Sequence, residues 1–474
     1  MNKKLPDIKN DVAGWYQEVI YQAELADQSP VRGCIVIRPY GNALWENIKT
    51  VLDKRIKETG HQNALFPLLI PQSFFEKEAE HVEGFSPELA IVTHAGGKKL
   101  EEPLAIRPTS ETMVHYMFAR WIRSWRDLPM KINQWANVVR WEMRSRAFLR
   151  TTEIFWQEGH TAHETQQEAN KEAEIMMQEY VNLAENYLAI PVVQGTKSEA
   201  EKFPGADKTL TFEALMPDGK ALQMGTSHLI SQNFAKTFDM SFQNKEGKLA
   251  YPYLTSWGVT TRLVGALVLV HGDQKGLALP PKIAPIQVVI VPFLKKNADN
   301  LSVLDKVSEL EKQLKNKNIK VFVDDDISKS PGSKLYKWEV KGVPVRIEVG
   351  PRDLEKNEVV IADRISSEKK SVNFDDVQSY VVTLLEQMQQ AMFENAKKRM
   401  QDNWHQVEKL ADFGKQMKDD GGFYQTGWCL NPACEQELKK YQAFTRCLLE
   451  EQTKKECFNC SKESATDVLV AKAY

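Results

Sequence analysis

Arg140-Trp141-Glu142 opens the stretch that decides the fold. It continues through Met143 to Phe148 and Leu149-Arg150-Thr151, and ends in Phe155-Trp156-Gln157-Glu158-Gly159-His160. Strand alternation places Arg140 and Glu142 on one face. The basic loop Arg144-Ser145-Arg146 is suited to covering a polyphosphate before the chain returns as a second strand. A guanidinium fork matches phosphate and carboxylate oxygens, and a neighbouring carboxylate can accept from an adenine amino group. Alone, an Arg-x-Glu on a strand is usually a surface ion pair. The segment needs company before it means chemistry.

Two other segments supply it. The run GVTTRLVGAL at 258–267 carries Arg262 out of a strand into an apolar, small-residue helix start, and GHQNALFPLL at 60–69 passes from a helix end into a strand centred on Pro67. Each is bland by itself, since an arginine beside a buried helix usually pairs with a carboxylate. In this order and spacing, however, the three segments resemble the three signature motifs of class II aminoacyl-tRNA synthetases. Further runs narrow the resemblance: RPTSE at 107–111, QMGTSH at 223–228, VHGD at 270–273 and KGVPVRIEVGPR at 341–352. With the Arg140 and Phe155-to-His160 segments, they are similar to prolyl-tRNA synthetases of the archaeal- and eukaryote-like subgroup. The likeness spans nearly the whole chain.

That resemblance implies an α/β multidomain protein: an antiparallel-sheet class II catalytic domain at 1–282, an α/β anticodon-binding domain at 283–385, and a small zinc-binding C-terminal domain with its connecting helix at 386–474. It implies L-proline, ATP and tRNA(Pro) as partners, with Mg²⁺ bridging the phosphates, and a homodimer formed around Pro67. Thr109, Glu111, Arg140, His228 and Trp156 would surround proline, with Glu111 neutralising the secondary ammonium and Phe212 adding a further apolar wall. Arg140, Glu142, Arg150, Thr151, Gln223, Thr226, Thr260 and Arg262 would hold ATP. Arg140 and Arg262 are the expected catalytic pair. Glu213 is either a metal ligand or a solvated carboxylate. Where relatives often place an adenine-stacking phenylalanine, this chain has Ile154, with Phe155 one position later.

The pattern beyond the motifs agrees. Three prolines (Pro280, Pro281, Pro285) precede strands expected at 287–291, 320–323, 345–349 and 358–362, alternating with helices at 301–315 and 335–341. That alternation argues a compact α/β unit. A further helix from about 374 leads into the cysteine-rich end. Lys329, Lys334, Lys337, Lys341, Arg346 and Arg352 read either as a solvated basic face or as a site for unstacked anticodon bases. Arg346 and Glu348 share a strand face there. The sequence ends in Tyr474, which the family resemblance directs towards the catalytic domain.

Cys429-x4-Cys434 and Cys457-x2-Cys460 have the spacing of a tetrahedral Zn²⁺ site with four thiolates and no open position, hence a structural one. Cys447 is left as an ordinary thiol. A disulfide framework would spread its cysteines through the chain, whereas here five of the six fall between Cys429 and Cys460. The net charge of −2 gives no global nucleic-acid signature, so RNA contact must be local. No apolar run approaches a membrane span, and no secretory signal follows Lys3 and Lys4, so a cytoplasmic protein is expected.

Two rivals are weaker. A threonyl-type enzyme needs thiolate and imidazole metal ligands in its catalytic domain, yet Cys34 is the sole cysteine before Cys429. A non-catalytic paralogue should have lost its phosphate-binding residues, and both arginines, Glu111 and His228 are present. The short interval between His160 and Gly258 leaves no room for an inserted hydrolytic domain, so no cis-editing of mischarged alanine is expected. The segment 85–97 reads equally as a lid or a plain surface loop.

Overall fold

The computed structural model describes residues 4–79, 89–142, 144–294, 299–419 and 421–474. Their organising element is an eleven-stranded sheet. Its antiparallel centre runs in the order Val193–Thr196, Lys208–Leu215, Ala221–Ser231, Tyr253–Thr260, Glu153–His163 and Met130–Val139. The short strand Gln62–Asn63 closes one edge in parallel.

Alternation along Glu153–His163 sorts side chains to two faces. Gln157 points to the covering layer, where its amide meets the Tyr180 hydroxyl at 2.6 Å. Trp156, Glu158 and His160 point to the opposite, open side. The covering helix Gln166–Asn182 begins at a capping box built by Thr165 and Glu168, so two of its first-turn requirements are met by side chains. Helix Arg262–His271 buries every residue from Leu263 to Val270. Burial of each large apolar side chain stabilises by roughly 1.5–3 kcal/mol. One core joins these helices to Trp15, Leu44, Trp45 and Ile48 of the N-terminal helices.

The second unit has a five-stranded sheet in which Val288–Pro292 pairs in parallel with Val321–Val323 and Val345–Val349. Glu358–Asp363 and Lys369–Asn373 then add antiparallel strands. The last of these went unread in the sequence because its charged residues show no apolar alternation. The helix expected from 335 starts earlier, at Pro331, because Ser330 caps it and proline suits the first turn. The helix Val377–Asp402 leads on to the C-terminal module.

That module is not a separate appendage. Its strands Trp404–Gln406, Phe423–Trp428, Thr466–Ala471 and Phe444–Leu448 extend the catalytic sheet, joining it where Leu448 pairs with Thr196. Gly195 makes the junction possible: a Cβ there would lie 2.3 Å from the Leu448 carbonyl oxygen.

Two readings change. The basic residues at 329–352 do not form one face: the Lys334 amino group is buried on the Asp324 carbonyl at 2.8 Å, and Lys341 pairs with Glu24 of the catalytic unit. Arg346 and Glu348 do pair, 3.0 Å apart; Arg346 lines a hollow with Lys369 and Arg364, while Glu348 is buried and accepts from both Arg346 and Lys369. The segment 85–97 lies partly outside the described residues; its remainder is the hairpin of Ala90–Ala95 and Lys98–Ile106, turned by Gly96 and Gly97 at positive φ. Among the described residues no helix is long and apolar enough to cross a membrane.

Candidate active site and metal centre

A cleft of about 540 Å³ opens on the uncovered side of the catalytic sheet. All twelve residues expected to hold proline and ATP line it: Thr109, Glu111, Arg140, Glu142, Arg150, Thr151, Trp156, Gln223, Thr226, His228, Thr260 and Arg262. They come from three strands, two helix starts and two connections, so only the fold brings them together; Arg140 and Glu142, expected on a strand, lie just past the end of Met130–Val139 in the first residues of the connection.

At one end Glu111 begins the helix Glu111–Trp121, where a carboxylate meets the positive end of the helix dipole. The Thr109 hydroxyl donates to it. Facing them, both ring nitrogens of His228 are engaged, by Thr209 at 2.9 Å and Thr226 at 3.0 Å, and Phe203 packs on the ring. Burial, helped by His160, pushes His228 down to about 3, so it is a neutral imidazole at physiological pH.

Beneath lies a pair for which the sequence offered no role. Glu158 accepts from Ser110 at 2.5 Å, sits 3.1 Å from His160 and also bonds Gln134. Burial alone would raise the Glu158 carboxyl. The hydrogen bond and charge of His160, with Ser110 and Gln134, bring it below its usual value. The same pairing raises His160 against its own burial. Strand spacing from Trp156 would have found both, because positions two and four residues on share its face.

Arg140 stands between the two ends. Its Nε donates to the Pro108 carbonyl at 3.0 Å, and its guanidinium lies over Trp156, 5.5 Å from the ring centre. Surrounding protein lowers its pKa, while Glu111 and Glu158 pull the other way. At the far end the Arg262 guanidinium donates to the carbonyls of Leu149 and Gln223, both at 3.1 Å. Burial and the neighbouring Arg140 push it down to about 10, which leaves it charged at neutral pH. Two aimed cations without a bonded carboxylate are what an anion needs. Arg150 pairs with Glu142 near the mouth.

Two expectations fail. Phe212 is no cleft wall: it is stacked on Tyr180 in the core behind Gly225. Glu213 is no metal ligand: fully buried, it accepts from Lys197 at 2.8 Å, Thr211 at 2.9 Å and Arg446 at 2.8 Å. Those two cations overcome burial and hold its carboxyl below the usual range. Ile154, not Phe155, faces the cleft. The sequence also missed the loop carrying Glu201, Lys202, Phe203 and Pro204 over the Glu111–His228 end. Tyr474, whose carboxylate is the group expected near the catalytic domain, lines the cleft with its side chain: its hydroxyl bonds Asp218 at 2.7 Å and Arg146 covers its ring.

The four cysteines come together as a candidate metal centre. The sulfurs of Cys429, Cys434, Cys457 and Cys460 lie within 4.8 Å of one another, with Cys429 3.8 Å from Cys434 and 3.6 Å from Cys460. Four thiolates at ~2.3 Å from a tetrahedral Zn²⁺ would be ~3.8 Å apart, so the donor set fits that ion. Cys447 is apart and buried; burial pushes its thiol up to about 12.

Comparison with known proteins agrees with this geometry. Residues 93–271 match the family model for the tRNA synthetase class II core domain (G, H, P, S and T). Residues 287–384 match the anticodon binding domain, and 410–474 the prolyl-tRNA synthetase C-terminal family. The chain is 48% identical over 475 residues to proline–tRNA ligase 2 of Clostridioides difficile, covering 100% of this chain and 98% of that one. It is 49% identical to the proline–tRNA ligase of Alkaliphilus oremlandii, with the same coverage. The crystal structure of prolyl-tRNA synthetase from Cryptosporidium parvum with L-proline and AMP superposes with a TM-score of 0.93, at 40% identity and over 99% of both chains. Its complex with halofuginone and AMPPNP gives 0.94 at 41% identity, again over 99% of both. The chain belongs to the class II prolyl-tRNA synthetase family, in the eukaryote- and archaeal-type form that carries an anticodon-binding domain and a cysteine-rich C-terminal domain.

Proposed function

We propose that the two ends of the cleft divide the substrates, with Arg140 touching both. The protein is an ATP-dependent proline–tRNA ligase. It joins the proline carboxylate to the α-phosphate of ATP, releasing pyrophosphate, and then transfers the prolyl group to the 3′ end of tRNA. The single observation carrying the assignment of ends is the placement of Arg140 between the Glu111–Thr109–His228 end and Arg262.

At the first end Glu111 receives the secondary ammonium, with Thr109 bracing it. Neutral His228 and Trp156 shape the space for the ring. Arg140 binds the carboxylate and the α-phosphate together, which orients an oxygen for in-line attack. Arg262 and Arg150 hold the distal phosphates; Glu142, Thr151, Gln223, Thr226 and Thr260 hold the rest of ATP, with Ile154 against the base. Developing negative charge is met by cations already in place, and no protein nucleophile is required. When bound, Mg²⁺ supplies further neutralisation between the phosphates. Cys429, Cys434, Cys457 and Cys460 hold a structural Zn²⁺ with no open position. The units at 1–282, 283–385 and 386–474 divide the work into activation, tRNA reading around Arg346 and Glu348, and support.

ATP–pyrophosphate exchange with each of the twenty amino acids tests this reading. Proline should dominate, with alanine second, because an apolar pocket discriminates by only about 10–200-fold per missing methylene. Exchange independent of proline would sink the function, and alanine at background would sink the pocket argument. A homodimer follows from the apolar surface beside Pro67, where Leu65 is 86% exposed and Leu68, Leu69 and Trp121 about 40% each. Sedimentation should give twice the chain mass, and Leu65→Asp should shift it towards monomer; a wild-type monomer at micromolar concentration rejects the seam.

A further inference from the structure

The loop over the proline end hangs from a root held by the C-terminal module. Strand Val193–Thr196 ends at Lys197 and Ser198, and the chain then crosses the cleft mouth through Glu201 to Pro204. The loop's first turn is built on Ser198, whose carbonyl accepts from the amides of Glu201 at 3.1 Å and Lys202 at 2.9 Å. Its tip is tied down by the Phe203 amide, 3.0 Å from the Thr209 hydroxyl, and by Phe203 packing on His228, ring centres 4.7 Å apart. Ser198 itself is buried, and its hydroxyl donates to Glu435 at 2.6 Å. Glu435 lies on the short helix Pro432–Gln436 of the C-terminal module and also accepts from Thr445. One residue before, Lys197 reaches Glu213, which Arg446 of the same module also binds.

We infer that Glu435 is a positioning residue for proline capture: it holds Ser198, and through Ser198 the loop that sets Phe203 against His228. It touches no substrate. A charged acceptor suits the task, since hydrogen bonds to ionised groups are the stronger ones. The module that holds the four cysteines thereby acts on the amino-acid end of the cleft. This rests on the proposed assignment of that end to proline.

The test is steady-state exchange by the full-length, zinc-loaded protein, with KM for proline and KM for ATP measured separately. Glu435→Ala and Ser198→Ala should each raise KM for proline about tenfold while KM for ATP stays within about twofold, the loss of one charge-assisted bond. Because both variants break the same contact, the double variant should be no worse than either single one. Glu435→Gln keeps an acceptor and should stay within about threefold of wild type. Equal zinc content in all four separates the contact from any effect on neighbouring Cys434, and Ser198→Ala lies outside the cysteine cluster altogether. Unchanged KM for proline, joint rises in both KM values, or multiplying effects would each overturn the inference. Wild-type protein without proline-dependent exchange would instead reject the functional reading, before any variant is measured.

Discussion

Arg140→Ala lowers proline-dependent exchange by about 10²–10³-fold, the scale set by removing one preorganised charge-stabilising donor. The expectation follows from what remains. Glu111 and Glu158 both act on Arg140, so its loss leaves two carboxylates at the proline end and nothing to receive a third. The incoming carboxylate then meets repulsion where it had a guanidinium. The α-phosphate loses its contact at the same time, so kcat should fall along with kcat/KM for both substrates. Arg140→Lys restores a charge but not a planar fork and should recover only a small part. Arg262→Ala should differ in kind: Arg262 is set by the Leu149 and Gln223 carbonyls at the other end, so KM for ATP should carry the defect. Folding is a poor alternative explanation, because Arg140 makes one bond to the Pro108 carbonyl and opens to the cleft. An unchanged melting temperature should accompany the lost activity. Exchange within tenfold of wild type would refute the assignment of Arg140 to both substrates.

The sequence revealed what strand alternation and local motifs can encode. Trp156 lies on a strand whose alternation already shows a face, Arg140 and Arg262 belong to local motifs at a strand end and a helix start, and the fold then joined segments more than a hundred residues apart. What stayed hidden depends on partners distant in the chain. Glu213 looked free for a metal because Arg446, 233 residues on, gives no local sign of binding it. Ser198 and the 201–204 loop carry no motif, and their anchor Glu435 lies 237 residues away. Lys334 and Lys341 read as a basic face, yet each is used internally, on Asp324 and on Glu24. Charge runs mislead in this way because sequence shows the sign of a side chain and not its partner. Phe212 fell to the same ambiguity: an aromatic beside a pocket is more often core, and here it stacks on Tyr180.

Removing zinc should damage structure and activity together, and the sheet explains why. A structural four-thiolate site contributes roughly 10–16 kcal/mol of folding free energy in small domains, comparable with the ~5–15 kcal/mol that stabilises a whole domain. Cys434 and Cys457 sit inside the module's core with Trp428 and Phe458, so without the ion four sulfur groups crowd together in an apolar setting with no bond to hold them there. The module should therefore lose its structure when Zn²⁺ is withdrawn or Cys434 is changed to serine. Three losses then reach the cleft. The strand Val193–Thr196 becomes an open sheet edge where Phe444–Leu448 had paired. Glu213 and Lys197 lose Arg446, leaving a buried pair with half its charge partners gone. Tyr474 withdraws its ring from Arg146. Exchange should fall by at least about 100-fold, in line with the unfolding of a module worth several kcal/mol, with exposed sheet-edge amides visible in hydrogen exchange at 193–196. Added Zn²⁺ should restore the chelated protein but not Cys434→Ser, which retains only three thiolates. A metal-free protein with native activity and native protection at 193–196 would show instead that the sheet holds the module together without the ion.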